Sequence, residues 1–458
     1  MSKKYFGTDG IRGKADIFPM TSDFASRLGL AIAKILKKEN KEKYKVIIGR
    51  DTRISGDMLE TALINGLKSG GIEEILQLGV ITTPAVATLT KSTQSDLGIM
   101  ITASHNPYYD NGIKLFDSNG VKFPDDKEEE IETIIDNILA DNLLKEGDIK
   151  KVAEIDENIY KKEYIDYIKS TFSTNSTLNG IKIVLDCANG AAYKIAPSVF
   201  RELGAEVVTI GVEPNGTNIN DGCGSTKPEL LQKTVMEQKA DIGIALDGDA
   251  DRIIVVDEKG KIVDGDKIIA LIATKMVNEG SLKNNTVVVT QMSNLGLELY
   301  LKNLGLNIIR TKVGDRYVGE EMRKNGYNLG GEQSGHIILG DYSTTGDGIC
   351  SGLQVLAFLQ LKRKSNKNIN ISDLIDLYKT IPQKLENIRF DRNSVNPLEL
   401  DDVKFFVEEY SKKLEGVGRI LVRKSGTEPL LRVMVECVDE KMLEDVLGKI
   451  CGKIREKL

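Results

Sequence analysis

The sequence predicts an α/β protein with mixed, largely parallel sheets and a smaller α+β unit at its C-terminal end. Two observations carry this expectation. Short apolar runs of strand length recur, and helical patterns near a 3.6-residue period lie between most of them. Strand, helix, strand at that spacing calls for crossover connections, which set neighbouring strands parallel. A third observation points to function: several runs open into Gly-rich or polar loops, where ligands sit in such sheets.

The elements follow in order. A helix is expected over 22–38, with Thr21 or Ser22 able to cap it. Val46-Ile47-Ile48 runs into Gly49-Arg50-Asp51, and a helix follows over 57–68. Leu97-Gly98-Ile99-Met100-Ile101 runs into Thr102-Ala103-Ser104. Ile181-Lys182-Ile183-Val184-Leu185 ends on Asp186, and a helix over 228–239 precedes Ile242-Gly243-Ile244-Ala245-Leu246, which ends on Asp247. A helix over 266–277 precedes Thr286-Val287-Val288-Val289, which runs into Thr290-Gln291. A helix is expected to start near Ile349 and another near Ser372. The last unit shows strands over 419–422 and 431–436 around a polar turn. The charged stretches 145–157 and 362–368 read as connections or as solvated helix ends. The three α/β units have the order of repeats, with too little identity among them to prove it.

A chain of 458 residues corresponds to about three domains. Hydrophobic residues at 41% and charged residues at 28% are a globular balance. The net charge of −6 argues against a broad grip on nucleic acid and leaves room for a local basic pocket. No apolar run approaches a membrane span, and the N-terminus turns Gly-rich and polar before a signal-peptide core forms. The five cysteines lack a CxxC pair, so neither a disulfide framework nor a zinc site is indicated. A reduced, cytoplasmic enzyme or binding protein is expected.

The sharpest motif is Asp247-Gly248-Asp249-Ala250-Asp251-Arg252. Alternate carboxylates on an extended segment point one way and repel unless a cation sits among them. Hard oxygen donors favour Mg²⁺. A calcium EF-hand is rejected, because its sixth position is Arg252 instead of Gly and apolar runs replace its flanking helices. An acidic surface turn is the plain alternative. In Thr102-Ala103-Ser104-His105-Asn106-Pro107, Ser104 at a strand end is placed for covalent chemistry, or Ser104 and His105 simply cap and turn the chain. Lys114 follows in Asp110-Asn111-Gly112-Ile113-Lys114. Arg423-Lys424-Ser425-Gly426-Thr427-Glu428-Pro429, with Arg432, is either a phosphate cradle or a solvated hairpin. Glu332 and Ser334, in Gly330-Gly331-Glu332-Gln333-Ser334-Gly335-His336, suit neighbouring sugar hydroxyls. A tight turn with a structural His336 reads at least as well. Thr8-Asp9-Gly10-Ile11-Arg12-Gly13 lets the backbone approach a ligand, with Arg12 pointing in. Gly346-Asp347-Gly348 reads as a helix cap.

Together and in order, these motifs resemble the α-D-phosphohexomutase superfamily over the whole chain, most closely its phosphoglucosamine mutase branch. Two details favour that amino-sugar branch: Gln333 where related hexose mutases commonly have Met, and Tyr108-Tyr109-Asp110-Asn111 in the serine loop. The resemblance implies four domains around a central cleft, at 1–155, 156–256, 257–368 and 369–458. It implies that Ser104 carries a phosphoryl group, gives it to a sugar monophosphate and takes back the other phosphate of the bound bisphosphate. Mg²⁺ would be held by Asp247, Asp249, Asp251 and a Ser104 phosphate oxygen. Arg12, Arg252 and Lys114 would offset phosphoryl charge. Lys114, if neighbouring cations lower its pKa, or His336 would move protons. Glu332 and Ser334 would bind the sugar, and Arg423, Ser425, Gly426, Thr427 and Arg432 the non-reacting phosphate. A sugar bisphosphate acts as activator, and the chain is expected to form a homodimer. Expected turnover is glucosamine 6-phosphate to glucosamine 1-phosphate, toward UDP-N-acetylglucosamine and the cell wall. A phosphoglucomutase or phosphomannomutase is the runner-up. A non-catalytic sugar-phosphate-binding protein and a metal-dependent phosphatase are the rivals from other classes.

Overall fold

Strand Lys45–Arg50 shows how the α/β units are built. Val46 and Ile48 enter one apolar core while Ile47 enters another, so the strand is covered on both faces. The structure is a computed structural model that describes residues 4–141, 157–172, 177–390, 397–424 and 430–458. The charged stretch expected to connect units at 145–157 lies almost wholly outside them.

The strands form four sheets. The six-stranded sheet runs Phe6–Gly7, Gly10–Lys14, Asp110–Asp117, Leu97–Ile101, Lys45–Arg50, Glu74–Val80 in space. The five-stranded sheet runs Ile262–Val263, Ile253–Asp257, Ile242–Leu246, Lys182–Asp186, Glu206–Ile210. The four-stranded sheet runs Asn307–Thr311, Thr286–Thr290, Leu329–Gly331, Ile337–Leu339. In the last sheet, Leu430–Cys437 lies between Gln383–Arg389 and Gly418–Lys424, all antiparallel. The first three share one core motif: three parallel strands, then an antiparallel partner on the last of the three in the chain. The sheets are therefore less parallel than expected. Loops as short as those after Ile101, Leu246 and Gly331 cannot hold a crossover, so the next strand returns antiparallel.

Those three returns carry the Ser, Asp and Glu motifs. The closing residue pairs are Ile101↔Ile113, Leu246↔Ile253 and Gly331↔Ile337. Two unit limits differ from the sequence expectation. The second sheet continues past 256 through Ile262–Val263, which pairs with Ile253–Asp257. Helix Ile371–Ile375 buries Ile371, Leu374 and Ile375 in the core shared by the first three units, so 369–375 packs with the third.

The helices form where their apolar period and caps require. Thr21 accepts from the Phe24 N–H to open Ser22–Leu36, and Asp347 accepts from Cys350 to open Gly348–Ser365. The first helix ends before 38 in a 3₁₀ turn, Lys37–Glu39, stopped by left-handed Asn40. Helices Ser22–Leu36 and Gly56–Ser69 meet backbone to backbone: a Cβ on Gly66 would lie 1.9 Å from the Ser26 carbonyl oxygen. No helix among the described residues is long and apolar enough to cross a membrane.

The fourth unit docks on the third through buried polar groups. Asn294 donates to the Ile381 carbonyl at 2.9 Å and to Glu436 at 3.2 Å, while its own N–H donates to Asp266 at 2.7 Å. Arg419 reaches the Gln291 and Ser293 carbonyls and pairs with Glu436. Burial, with Asp264 nearby, pushes the Asp266 carboxyl up to about 7.

Two stability outcomes follow. Gly66→Ala should force the two helices apart and cost about 1–3 kcal/mol in denaturant unfolding. For Asp266, the native state holds a proton that the unfolded chain has lost between its ordinary 3.8 and about 7. Its contribution is full at low pH and declines as pH rises through that window. Asp266→Asn should therefore flatten the stability–pH profile there, measured by thermal unfolding across pH 4–8.

Candidate active site

The three return loops converge. Ser104 Oγ donates to Asp247 Oδ2 at 2.6 Å, joining loops from the first and second sheets. Ser104 is buried and sits at φ 53, a left-handed backbone that a non-glycine residue adopts only when its surroundings hold it. The surroundings are specific. The Ser104 N–H donates to Thr102 Oγ1 at 2.9 Å, and its carbonyl accepts from Arg53 and from Asn220. A Cβ on Gly248 would lie 2.5 Å from that carbonyl oxygen, so glycine is what lets the Asp loop come this close.

Asp247, Asp249 and Asp251 offer carboxylate oxygens within 4.8 Å of one another, all buried. Burial, then Asp251 and Asp249, push Asp247 well above the usual carboxylate range. Asp251 is the opposite case: burial opposes ionisation, but Lys114, His336 and Arg252 hold its pKa well below the ordinary value. The raised pKa of Asp247 shows that the cations around the cluster leave part of its negative charge unbalanced. Asp249 Oδ1 and Asp251 Oδ1 are also buried without a hydrogen-bond partner. Hard oxygen donors left unsatisfied inside the protein fit a divalent cation such as Mg²⁺.

Cations already surround the cluster. Lys114 Nζ lies 2.9 Å from Asp249 and 3.0 Å from Asp251, with Asp9 at 3.2 Å. Burial lowers its pKa, but those three carboxylates outweigh it and raise it well above the ordinary value. The condition set for Lys114 as a base, a pKa lowered by cations, is not met, because its close partners are anions. Arg12 pairs with Asp9. Arg252 is 3.8 Å from Asp251 through its side chain, and its N–H donates to Asp247. Burial, then Arg252 and Arg12, depress His105 to about 4, so it is neutral at physiological pH.

The third loop is tied to the second through the backbone. Ile253 donates to the Gly335 carbonyl at 3.0 Å, and Arg252 bridges His336 in a β-bridge. His336 Nδ1 faces Asp251 at 3.6 Å, and its Nε2 accepts from the Gly346 N–H and lies 3.3 Å from Asp315. Burial opposes protonation of His336, yet Asp315 and Asp251 raise its pKa. Glu332 accepts from Gly314 at 3.2 Å, and burial followed by Asp315 raises its pKa. Ser334 is exposed. Gln333 turns to Asp264, 3.4 Å away.

Arg423 and Arg432 face each other across the fourth sheet. Burial and then Arg432 lower the Arg423 pKa, and both Nε atoms are buried without partners. Two guanidinium groups side by side, with no partner for either Nε among the described residues, are able to take an anion. Ser425, Gly426 and Thr427 lie outside the described residues.

Four participants were not read from the sequence. Buried Arg53 donates to the Ser104, Asn106, Pro107 and Asp110 carbonyls and pairs with Asp51, fastening the whole serine loop. It sits just past a predicted strand end, which is the signal that could have found it. Thr83 Oγ1 donates to Asp249 at 2.6 Å. Lys122 and Asp315 pair with each other, and Lys122 also pairs with Asp9. No motif marks these three.

Comparisons with known proteins identify the family. Models of the phosphoglucomutase/phosphomannomutase family match in series: alpha/beta/alpha domain I at 3–141, domain II at 162–260, domain III at 264–381 and the C-terminal domain at 385–453. A phosphoglucosamine mutase of Parvibaculum lavamentivorans is 51% identical over 454 residues, 99% of each chain. The crystal structure of a phosphoglucomutase/phosphomannomutase family protein of Burkholderia thailandensis shares the fold, with TM-score 0.80 at 22% identity, covering 100% of this chain and 98% of that one. N-acetylphosphoglucosamine mutase of Aspergillus fumigatus, solved with GlcNAc-6P and magnesium, has TM-score 0.63 at 17% identity, with coverages of 99% and 96%. The chain belongs to the phosphohexomutases, an enzyme superfamily, and within it to the phosphoglucosamine mutases.

Proposed function

We propose that this enzyme interconverts glucosamine 6-phosphate and glucosamine 1-phosphate through a phosphoserine at Ser104 and a bound sugar bisphosphate, in the cytoplasm. The observation that carries the reading is Ser104 Oγ at 2.6 Å from Asp247, inside a carboxylate cluster that needs a cation. In the first half-reaction a sugar hydroxyl attacks phosphorus, the P–Oγ bond breaks, and in net the hydroxyl proton passes to the departing Ser104 Oγ. In the second, Ser104 Oγ attacks the other phosphate of the bisphosphate, the bond from that phosphorus to the sugar oxygen breaks, and in net the Ser104 hydroxyl proton passes to the departing sugar oxygen.

Asp247, Asp249 and Asp251 would hold Mg²⁺ together with an oxygen of the Ser104 phosphate. The ion would supply positive charge to the transferring group. Arg12 and Arg252 add charge on its equatorial oxygens, where phosphoryl transfer is most sensitive to electrostatics. Lys114, kept as an ammonium by its carboxylates, adds charge and serves as a proton donor. His336 orients Asp251. Glu332 and Ser334 take the sugar hydroxyls in both orientations. Arg423 and Arg432, with Ser425, Gly426 and Thr427, grip the phosphate that is not reacting. Support for this last role is the pairing of Arg423 with Arg432 across the sheet, with no partner for either Nε among the described residues. Gln333, turned to Asp264, would set amino-sugar preference through the loop and not by touching the sugar.

Coupled assays with Mg²⁺ and a bisphosphate primer test the reading by comparing kcat/KM for glucosamine, glucose and mannose 6-phosphates. The expected result is a clear preference for the amino sugar; equal values would make this a broad hexomutase. Ser104→Ala should abolish turnover with the fold intact, and near-normal turnover would remove the phosphoserine route. Arg423→Ala should raise KM about tenfold or more while the Mg²⁺ half-saturation stays unchanged.

A further inference from the structure

A buried ion pair between Glu128 and Arg316 joins the first and third units. Helix Asp125–Asp141 presents Glu128 in its first turn, and helix Asp315–Asn325 presents Arg316 in its own. Arg316 donates through Nη2 to Glu128 Oε1 at 2.6 Å and through Nη1 to Oε2 at 3.1 Å. Glu128 is 2% exposed and Arg316 6%. Asp125, on the outer rim, also pairs with Arg316.

Helix chemistry explains half of this pair. A carboxylate suits the positive end of a helix, as at Glu128, but a cation in the first turn is disfavoured there. Arg316 therefore answers to a partner outside its own helix. Its position is telling. Gly314, two residues earlier, donates to Glu332, and Asp315 lies against His336 and pairs with Lys122 of the first unit. Three consecutive residues thus touch the sugar loop, the histidine and the opposite domain. Glu128 fixes the third of them by two parallel bonds, a geometry that tolerates little rotation.

We propose that Glu128 and Arg316 are positioning residues for the mutase reaction, registering the third unit against the first so that Glu332 and His336 face Ser104. This rests on the functional reading above; neither side chain touches the reacting groups. The pair acts through Gly314 and Asp315. Small misplacements of a binding group cost reactivity out of proportion to their size.

The test uses the full chain, with Glu128→Gln, Arg316→Met, Arg316→Lys, the double variant Glu128→Gln/Arg316→Met, and rim control Asp125→Asn. Glu128→Gln keeps volume and one hydrogen bond, so it reads the lock even if Arg316→Met unfolds. Each of Glu128→Gln and Arg316→Met should raise KM for glucosamine 6-phosphate by about tenfold to a hundredfold. The double variant should be no worse than Arg316→Met, as for residues acting as one unit. Arg316→Lys should recover part of the loss, Asp125→Asn should change little, and the Mg²⁺ half-saturation should stay fixed. Hydrogen exchange over 313–318 should quicken in both single variants. Unchanged KM with only lowered thermal stability, or losses that multiply in the double variant, would overturn the lock. So would unchanged exchange over 313–318. That readout does not depend on the substrate: an inactive wild type whose variants still exchange faster would reject the functional reading and keep the lock.

Discussion

Three buried carboxylates within 4.8 Å of one another impose the constraint on which the site depends. Left alone they would force one another to protonate or pull the fold apart. The chain answers from every side. Lys114 comes from the first sheet, Arg252 from the Asp loop's own return and His336 from the third sheet, while Ser104 donates its hydroxyl proton to Asp247. Asp9 then balances Lys114, Arg12 and Lys122 on the outer side. The result is an alternating lattice of charge with oxygen atoms still unsatisfied at its centre, the arrangement expected where a divalent cation and a phosphoryl group work together.

Repetition of one architectural device supplies the convergence. Each of the first three units runs three parallel strands and then turns the chain back antiparallel along the last of them. The return is short, so its loop cannot wander far from the strand ends. Side chains on it are placed by the sheet and not by a flexible connection. Ser104, Asp247 and Glu332 lie on three such returns, within three residues of the strand ends. Bringing the three sheet edges together makes a site that no unit contains alone. The fourth unit adds a pair of arginines from a different topology, held to the third by Asn294, Arg419 and Glu436.

Much of this was legible in the residues. The D-x-D-x-D spacing requires a cation wherever it is buried, and burial was written in the apolar runs on either side. Helix starts at Thr21 and Asp347 were legible because a cap is a local bond between a side chain and an amide a few residues on. Strand ends before Ser104 and Asp247 were legible for the same local reason. Lys122, Asp315 and Thr83 were not, because each acts through partners far along the chain and carries no local signature. The protonation preference of Lys114 was also out of reach: the sequence places cations near it in the list of motifs, whereas space places carboxylates around it.

The amino-acid sequence by itself determined the α/β class, the order of the chemical loops and a triad that needs a cation once buried. These follow from period, spacing and residue type, which are properties of neighbouring residues. Tertiary structure decided which strands return antiparallel, that three returns meet at one point, that Ser104 is held in a left-handed backbone, and which charges oppose which. Those are outcomes of distance between residues remote in sequence, and electrostatic and packing energies depend on distance in space, whatever the separation along the chain.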